Sequence, residues 1–198
     1  LRSLLARPIF AYANVPYRIK AYDEIVKDPY NTITFDWDAE HAIASRVQER
    51  GTDGKLLLDN RGDVYHATLA EKLINLLLAK LVNFVPDGGI WMNTKRPEWN
   101  DANNALVGKG LSVVTACYLR RFVTFFRGLL PDTTGDFVLT QEIVTLFEAI
   151  RDIFTTYQSS LHAITNESRR VVMDALGKAG SDYRWQCYEK GLSGEYVR

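Results

Sequence analysis

The chain has 198 residues, with 24 Lys and Arg against 24 Asp and Glu, so its formal net charge is zero. Hydrophobic residues make up 46% and charged residues 24%, which excludes disordered, collagen-like and coiled-coil chains. Without excess positive charge, sequence-independent nucleic-acid binding is not expected as a main role, and the length fits one domain, 1–198.

Residues 1–10 lack the basic, apolar and small-residue succession of a signal peptide. The longest apolar stretch, 73–85, is interrupted by Asn75, Lys80 and Asn83, so no membrane span is expected. The first residue is Leu1 rather than Met, so the chain is expected to be processed or cut from something larger; its expected location is cytoplasmic.

Prolines Pro8, Pro16 and Pro29 predict extended segments in a less regular N-terminal third. Phe35-Asp36-Trp37-Asp38 precedes a short predicted helix over 38–50 that Gly51 ends. An acid here serves as its N-cap, and the alternative is that the aromatic-acid cluster walls a ligand cleft. Residues 55–58 and 63–65 predict a strand pair around Asp59-Asn60-Arg61-Gly62.

Over 67–84 the apolar residues Leu69, Leu73, Leu76, Leu77, Leu81 and Phe84 follow helical spacing, with Thr68 and Glu71 resembling a capping box. Pro86-Asp87-Gly88-Gly89 ends that helix. The next, over 106–126, is apolar nearly all round (Val113, Val114, Cys117, Leu119, Phe122, Val123, Phe126), which predicts burial between neighbours. A helix over 140–162 carries Ile143, Leu146, Ile150 and Phe154 on one side. Another, from Glu167, is expected to stop at Gly177 or Gly180. The aromatics Tyr183, Trp185, Tyr188 and Tyr196 are then expected to dock a C-terminal tail. The fold class is therefore mainly α, built of antiparallel helical hairpins, with no internal repeat in the sequence.

Cys117 and Cys187 form no disulfide framework and are read as reduced, partly buried thiols. Together with His41, His66 and His162 they have no zinc-site spacing, so neither a metal nor a cofactor is expected.

One segment stands apart. Residues 87–104 read DGGIWMNTKRPEWNDANN, a long connection between two strongly apolar helices. It holds Trp91 and Trp99, the acids Asp87, Glu98 and Asp101, the cations Lys95 and Arg96, and Asn93, Asn100, Asn103 and Asn104. Indole faces match the apolar faces of sugar rings, and amides both donate to and accept from hydroxyls. Of two nearby carboxyls, one can protonate a glycosidic oxygen while the other activates water or attacks. Glu98 and Asp101 are three apart and share a face if a helix starts there. Capping by Asp101, Asn103 or Asn104, and packing of Trp99, explain one or two of these residues but not the whole set.

Trp99-Asn100-Asp101-Ala102, after Ile90-Trp91-Met92 and before a long apolar helix, resembles the W-x-D-A segment of six-hairpin (α/α)6 glycosidases, nearest the glycogen-debranching and cellobiose-phosphorylase-like branches. The resemblance covers about fifteen residues. It implies Asp101 as general acid, with Trp91 and Trp99 lining a sugar subsite. Asn100 stands where the family carries an apolar residue, and no second carboxylate is matched; Glu98 is local, and Asp36, Asp38 and Glu142 are distant alternatives. Twelve helices need far more than 198 residues, so the resemblance implies a fragment of an (α/α)6 toroid whose partner is the remainder of a parent chain.

The expectation is a carbohydrate-active, glycoside hydrolase-like enzyme with an oligosaccharide or glycoside substrate. Its catalytic residues would be Asp101 and Glu98, and Trp91, Asn93, Arg96, Trp99, Asn103 and Asn104 would bind substrate. Phosphorolysis would use Lys95 and Arg96 as an anion site. The alternative is a non-catalytic all-α interaction module whose Trp/Asn-rich loop binds a protein, since Trp and Arg are common interface anchors.

Overall fold

The computed structural model describes residues 2–93, 105–130 and 137–197. Among these residues six α-helices dominate: α1 (Tyr22–Lys27), α2 (Trp37–Arg50), α3 (Leu69–Leu81), α4 (Val113–Leu129), α5 (Gln141–Thr156) and α6 (Asn166–Lys190). The described residues also form nine short strands: β1 (Pro8–Phe10), β2 (Tyr17–Ile19), β3 (Ile33–Phe35), β4 (Ala67–Thr68), β5 (Phe84–Val85), β6 (Gly89–Trp91), β7 (Leu111–Ser112), β8 (Leu139–Thr140) and β9 (Tyr196–Val197). They pair antiparallel as β1–β4, β2–β3, β5–β6–β7 and β8–β9. Among the described residues, no helix is long and apolar enough to cross a membrane.

Three helices share one beginning. A two-residue strand ends in Thr68, Ser112 or Thr140, and α3, α4 or α5 starts on the next residue. Thr68 Oγ1 accepts from Glu71 N and Ser112 Oγ from Thr115 N, each satisfying one of the open N–H groups of a first turn.

The main core joins α3, α5 and α6: Leu78 and Val82 meet Ile143, Leu146 and Ile150 of α5 and Val172 and Leu176 of α6. The helical spacing of those residues is what aims them at one place. A second cluster lays Phe122, Phe126 and Leu129 of α4 on Leu5, Leu69, Ala70 and Leu73.

Four sequence expectations need correction. The helix expected over 106–126 begins at Val113, because the Gly108–Gly110 turn and β7 come first. It is also covered on one side only, not buried between neighbours. Gly177 and Gly180 do not stop α6, which runs on to Lys190. They let other elements approach: a Cβ on Gly177 would lie 2.1 Å from the Tyr22 ring, and one on Gly180 2.7 Å from Val82. Thr68 caps α3 as expected, but the Glu71 side chain does not complete a capping box. It is buried among tyrosines.

Smaller differences follow the same lines. Helix α2 has Asp36 as its cap, as the sequence allowed. Residues 58 and 64 form a single bridge around the turn at 59–62, where Asp59 Oδ1 accepts from Arg61 N and Asp63 N. Helix α3 ends at Leu81, before Pro86, which lies in the turn between β5 and β6. Cys187 is half-buried, but Cys117 is exposed on α4, and both are free thiols.

Candidate functional site

Three neighbouring cavities lie along one face of the C-terminal half of α6. Tyr183, Arg184, Cys187 and Tyr188 recur at i, i+1, i+4 and i+5, which puts them on one face of the helix. Tyr188 lines all three cavities. Its hydroxyl accepts from Ile19 N (3.1 Å), which ties α6 to β2, and the Arg18 guanidinium lies 5.5 Å from its ring centre.

The first cavity, about 330 Å³, holds the two expected site residues that fall within the described chain. Trp91 and Asn93 line it together with Asn83, Lys80, Tyr183 and Tyr188. The Trp91 indole N–H donates to Gly108 O (3.2 Å), while its backbone N–H bonds Asn83 O (2.8 Å). Asn93 is 7% exposed and donates through Nδ2 to Asn83 Oδ1 (2.8 Å). Backbone bonds from Met92 N to Gly110 O and from Gly108 N to Met92 O continue the β6–β7 ladder. Gly108 has φ +85 and lies against the Pro29 carbonyl, a position that needs glycine. Lys95, Arg96, Glu98, Trp99, Asn100, Asp101, Asn103 and Asn104 lie outside the described residues.

The second cavity, about 690 Å³, is lined by Asn14, Tyr17, Arg18, Asp36, Cys187 and Tyr188 among others, and shares Ile19 with the first. The Asp36 pKa is lowered, chiefly because Ala39 N donates to its carboxylate and next because Arg18 bonds it. Tyr17, Phe35 and Trp37 form an edge-to-face row beside it, with centroids 5.1 and 4.5 Å apart. Of the distant acids considered as a second carboxylate, Asp36 is thus on a cavity wall, and Asp38 is exposed in the first turn of α2.

The third cavity, about 210 Å³, is lined by Tyr12, Asn75, Tyr183, Cys187 and Tyr188. Behind it is a carboxylate that its sequence neighbours do not mark as a site residue. Glu71 is fully buried and accepts from Tyr65 Oη (2.9 and 3.0 Å) and from Tyr12 Oη (3.3 Å). The two phenols are brought together by backbone bonds that link 12, 57 and 65 in register. Burial raises the Glu71 pKa more than these hydrogen bonds lower it, and the charge of Glu142 adds to the rise. Glu142 is itself buried and accepts from Ser193 N (2.8 Å), so it fastens the C-terminal tail. Burial, with the Glu142 charge behind it, pushes the Cys187 thiol up to about 11, which keeps it an unreactive thiol at neutral pH.

The C-terminal aromatics divide. Tyr196 lies in β9, paired with β8, and stacks near Tyr65, so it does dock a tail. Tyr183 and Tyr188 belong to α6 and face the cavities. Their i, i+5 relation could have been read from the sequence only by carrying the helix through Gly177 and Gly180. His41, His66 and His162 are exposed, and the described residues contain no group of three His, Cys, Asp or Glu placed to hold a metal ion.

No protein-family model matches this sequence, and no curated protein is significantly similar to it.

Proposed function

We propose that the chain is a carbohydrate-active, glycoside hydrolase-like protein, with Asp101 as the general acid and Glu98 as the nearest second carboxylate. The observation that carries this is the 330 Å³ cavity, where Trp91 and Asn93, picked out from the sequence as sugar-binding types, share a wall with Asn83, Tyr183 and Tyr188. Flat apolar rings beside fixed amides suit a sugar ring and its hydroxyls. Arg96, Trp99, Asn103 and Asn104 follow Asn93 in the sequence, and they complete the subsite in this reading. Asp36, held ionised beside Arg18, supplies a hydroxyl-accepting carboxylate in the adjoining cavity.

The helices follow the (α/α)6 pattern in this proposal, and the chain forms part of such a toroid. Hydrolysis is the default reaction, because an uncharged substrate suits the neutral chain. The test is Asp101→Asn, assayed for sugar release from aryl glycosides and oligosaccharides. Turnover is expected to be lost while the melting temperature is unchanged. Full activity in that variant removes Asp101 from the chemistry. A wild-type protein that turns over no glycoside but forms a stable complex through this loop favours the non-catalytic interaction module.

A further inference from the structure

Tyr188 and Ile19 line both the 330 Å³ cavity that holds Trp91 and the 690 Å³ cavity beside it, so the two spaces adjoin along that pair. The Tyr188 ring is held by three contacts. Its hydroxyl accepts from Ile19 N, the Trp185 ring meets it edge to face at 5.8 Å, and the Arg18 guanidinium lies 5.5 Å from its centre. A ring fixed in this way is a stacking surface that costs little to order when a ligand arrives.

The 690 Å³ cavity has a polar wall and an aromatic rim. On the wall, Asp36 Oδ1 accepts from Ala39 N (3.0 Å) and Oδ2 from Arg18 Nε. A carboxylate oxygen has room for a further donor, and the bond from Arg18 uses Nε, so both terminal nitrogens of its guanidinium are placed to donate to a ligand. The Arg18 and Asp36 side chains are 38% and 15% exposed, within reach of a ligand yet largely shielded from water. The rim follows from local structure. The β2–β3 register sets Tyr17 opposite Phe35, and the Asp36 cap starts α2 at Trp37. Tyr17 is 41% and Trp37 66% exposed at the two ends of the aromatic row. Large rings left open beside a cavity mark a contact surface rather than core.

We infer that the ligand of the proposed saccharide site is a chain of several sugar units. It starts against Trp91, crosses Tyr188 into the 690 Å³ cavity, bonds Arg18 and Asp36 through its hydroxyls, and rests its outer units on Tyr17 and Trp37. This rests on the saccharide reading and adds to it a substrate length and a second set of binding residues. A sugar chain alternates apolar ring faces with hydroxyls, and here aromatic rings alternate with a guanidinium and a carboxylate. Size points the same way: the space beyond Tyr188 is larger than the space at Trp91, so a single sugar would leave most of the site unfilled.

Calorimetric titration with α- and β-linked gluco- and manno-oligosaccharides, from mono- to hexasaccharide, tests the inference. Within a series that binds, affinity should rise at least about tenfold from the shortest bound ligand to the longest. Trp37→Ala and Arg18→Gln should each cut that gain by about fivefold or more. The gain is a ratio measured within one folded protein, so a modest loss of stability in a variant does not imitate the effect. Equal affinity for short and long ligands, with both weakened by Trp91→Ala, keeps the saccharide reading and overturns the chain. A gain with length that neither Trp37→Ala nor Arg18→Gln reduces also overturns it. Saturable binding by no saccharide of any length overturns both.

Discussion

Helices α3 and α4 begin alike and end differently. Each follows a two-residue strand, and each is capped by a hydroxyl that accepts from the N–H three residues on. Helix α3 then meets α4 on one side and α5 on another, with Leu78 in the main core and Ala70 in the second cluster. Helix α4 meets α3 and β6 on one side, and its other apolar stripe faces out. Local chemistry starts a helix, but how much of its surface is covered depends on where its neighbours run.

If that contrast is right, truncations on the two helices should differ sharply. Leu78→Ala, at a fully buried α3 position, is expected to cost about 2–5 kcal/mol in denaturant unfolding. A cost near zero would mean that the α3–α5–α6 core is not assembled as described.

Glu71→Ala is the next largest expected effect, about 1–3 kcal/mol, because the buried Tyr65 and Tyr12 hydroxyls lose their acceptor. Glu71 also sets a pH dependence. Its folded pKa is raised by burial, so the folded state holds the proton more tightly than the unfolded state does. The stability it contributes is complete below the ordinary Glu range and is lost as pH rises through the raised value. The neutral variant Glu71→Gln should flatten stability across that window, and a stability curve identical to wild type would contradict the buried placement.

The caps should be nearly equal, since their chemistry is the same. Thr68→Ala and Ser112→Ala are each expected to cost about 1 kcal/mol, measured by urea midpoints. A large loss at only one of them would show that its hydroxyl does more than cap. The smallest effect belongs to the outer face of α4: Val114→Ala should change stability by no more than about 0.5 kcal/mol. A larger loss would mean that this face is covered.

Much of this was legible in the sequence. Stripes at helical spacing located α3 and α5, Gly51 marked the end of α2, and Asp36 and Thr68 marked the starts of α2 and α3. The glycines of α6 misled because a glycine that ends a helix and one that admits a neighbour's ring look the same until the neighbour is placed; Tyr22 is 155 positions away from Gly177. For the same reason Tyr183 and Tyr188 were assigned to a tail. Glu71 was read as a capping acid because its sequence neighbours fit that role, whereas Tyr12, which bonds it, lies 59 residues away. Among the candidate site residues, Trp91 and Asn93 stand out by residue type alone, and they line one cavity with Asn83.

The central claim is that this wall binds saccharide. Calorimetric titration of an oligosaccharide panel into the wild-type protein and Trp91→Ala tests it most directly. At least one saccharide should bind saturably, and Trp91→Ala should weaken it by about tenfold or more while the helical signal is kept. No saturable binding by any saccharide, or binding that Trp91→Ala leaves unchanged, would contradict it.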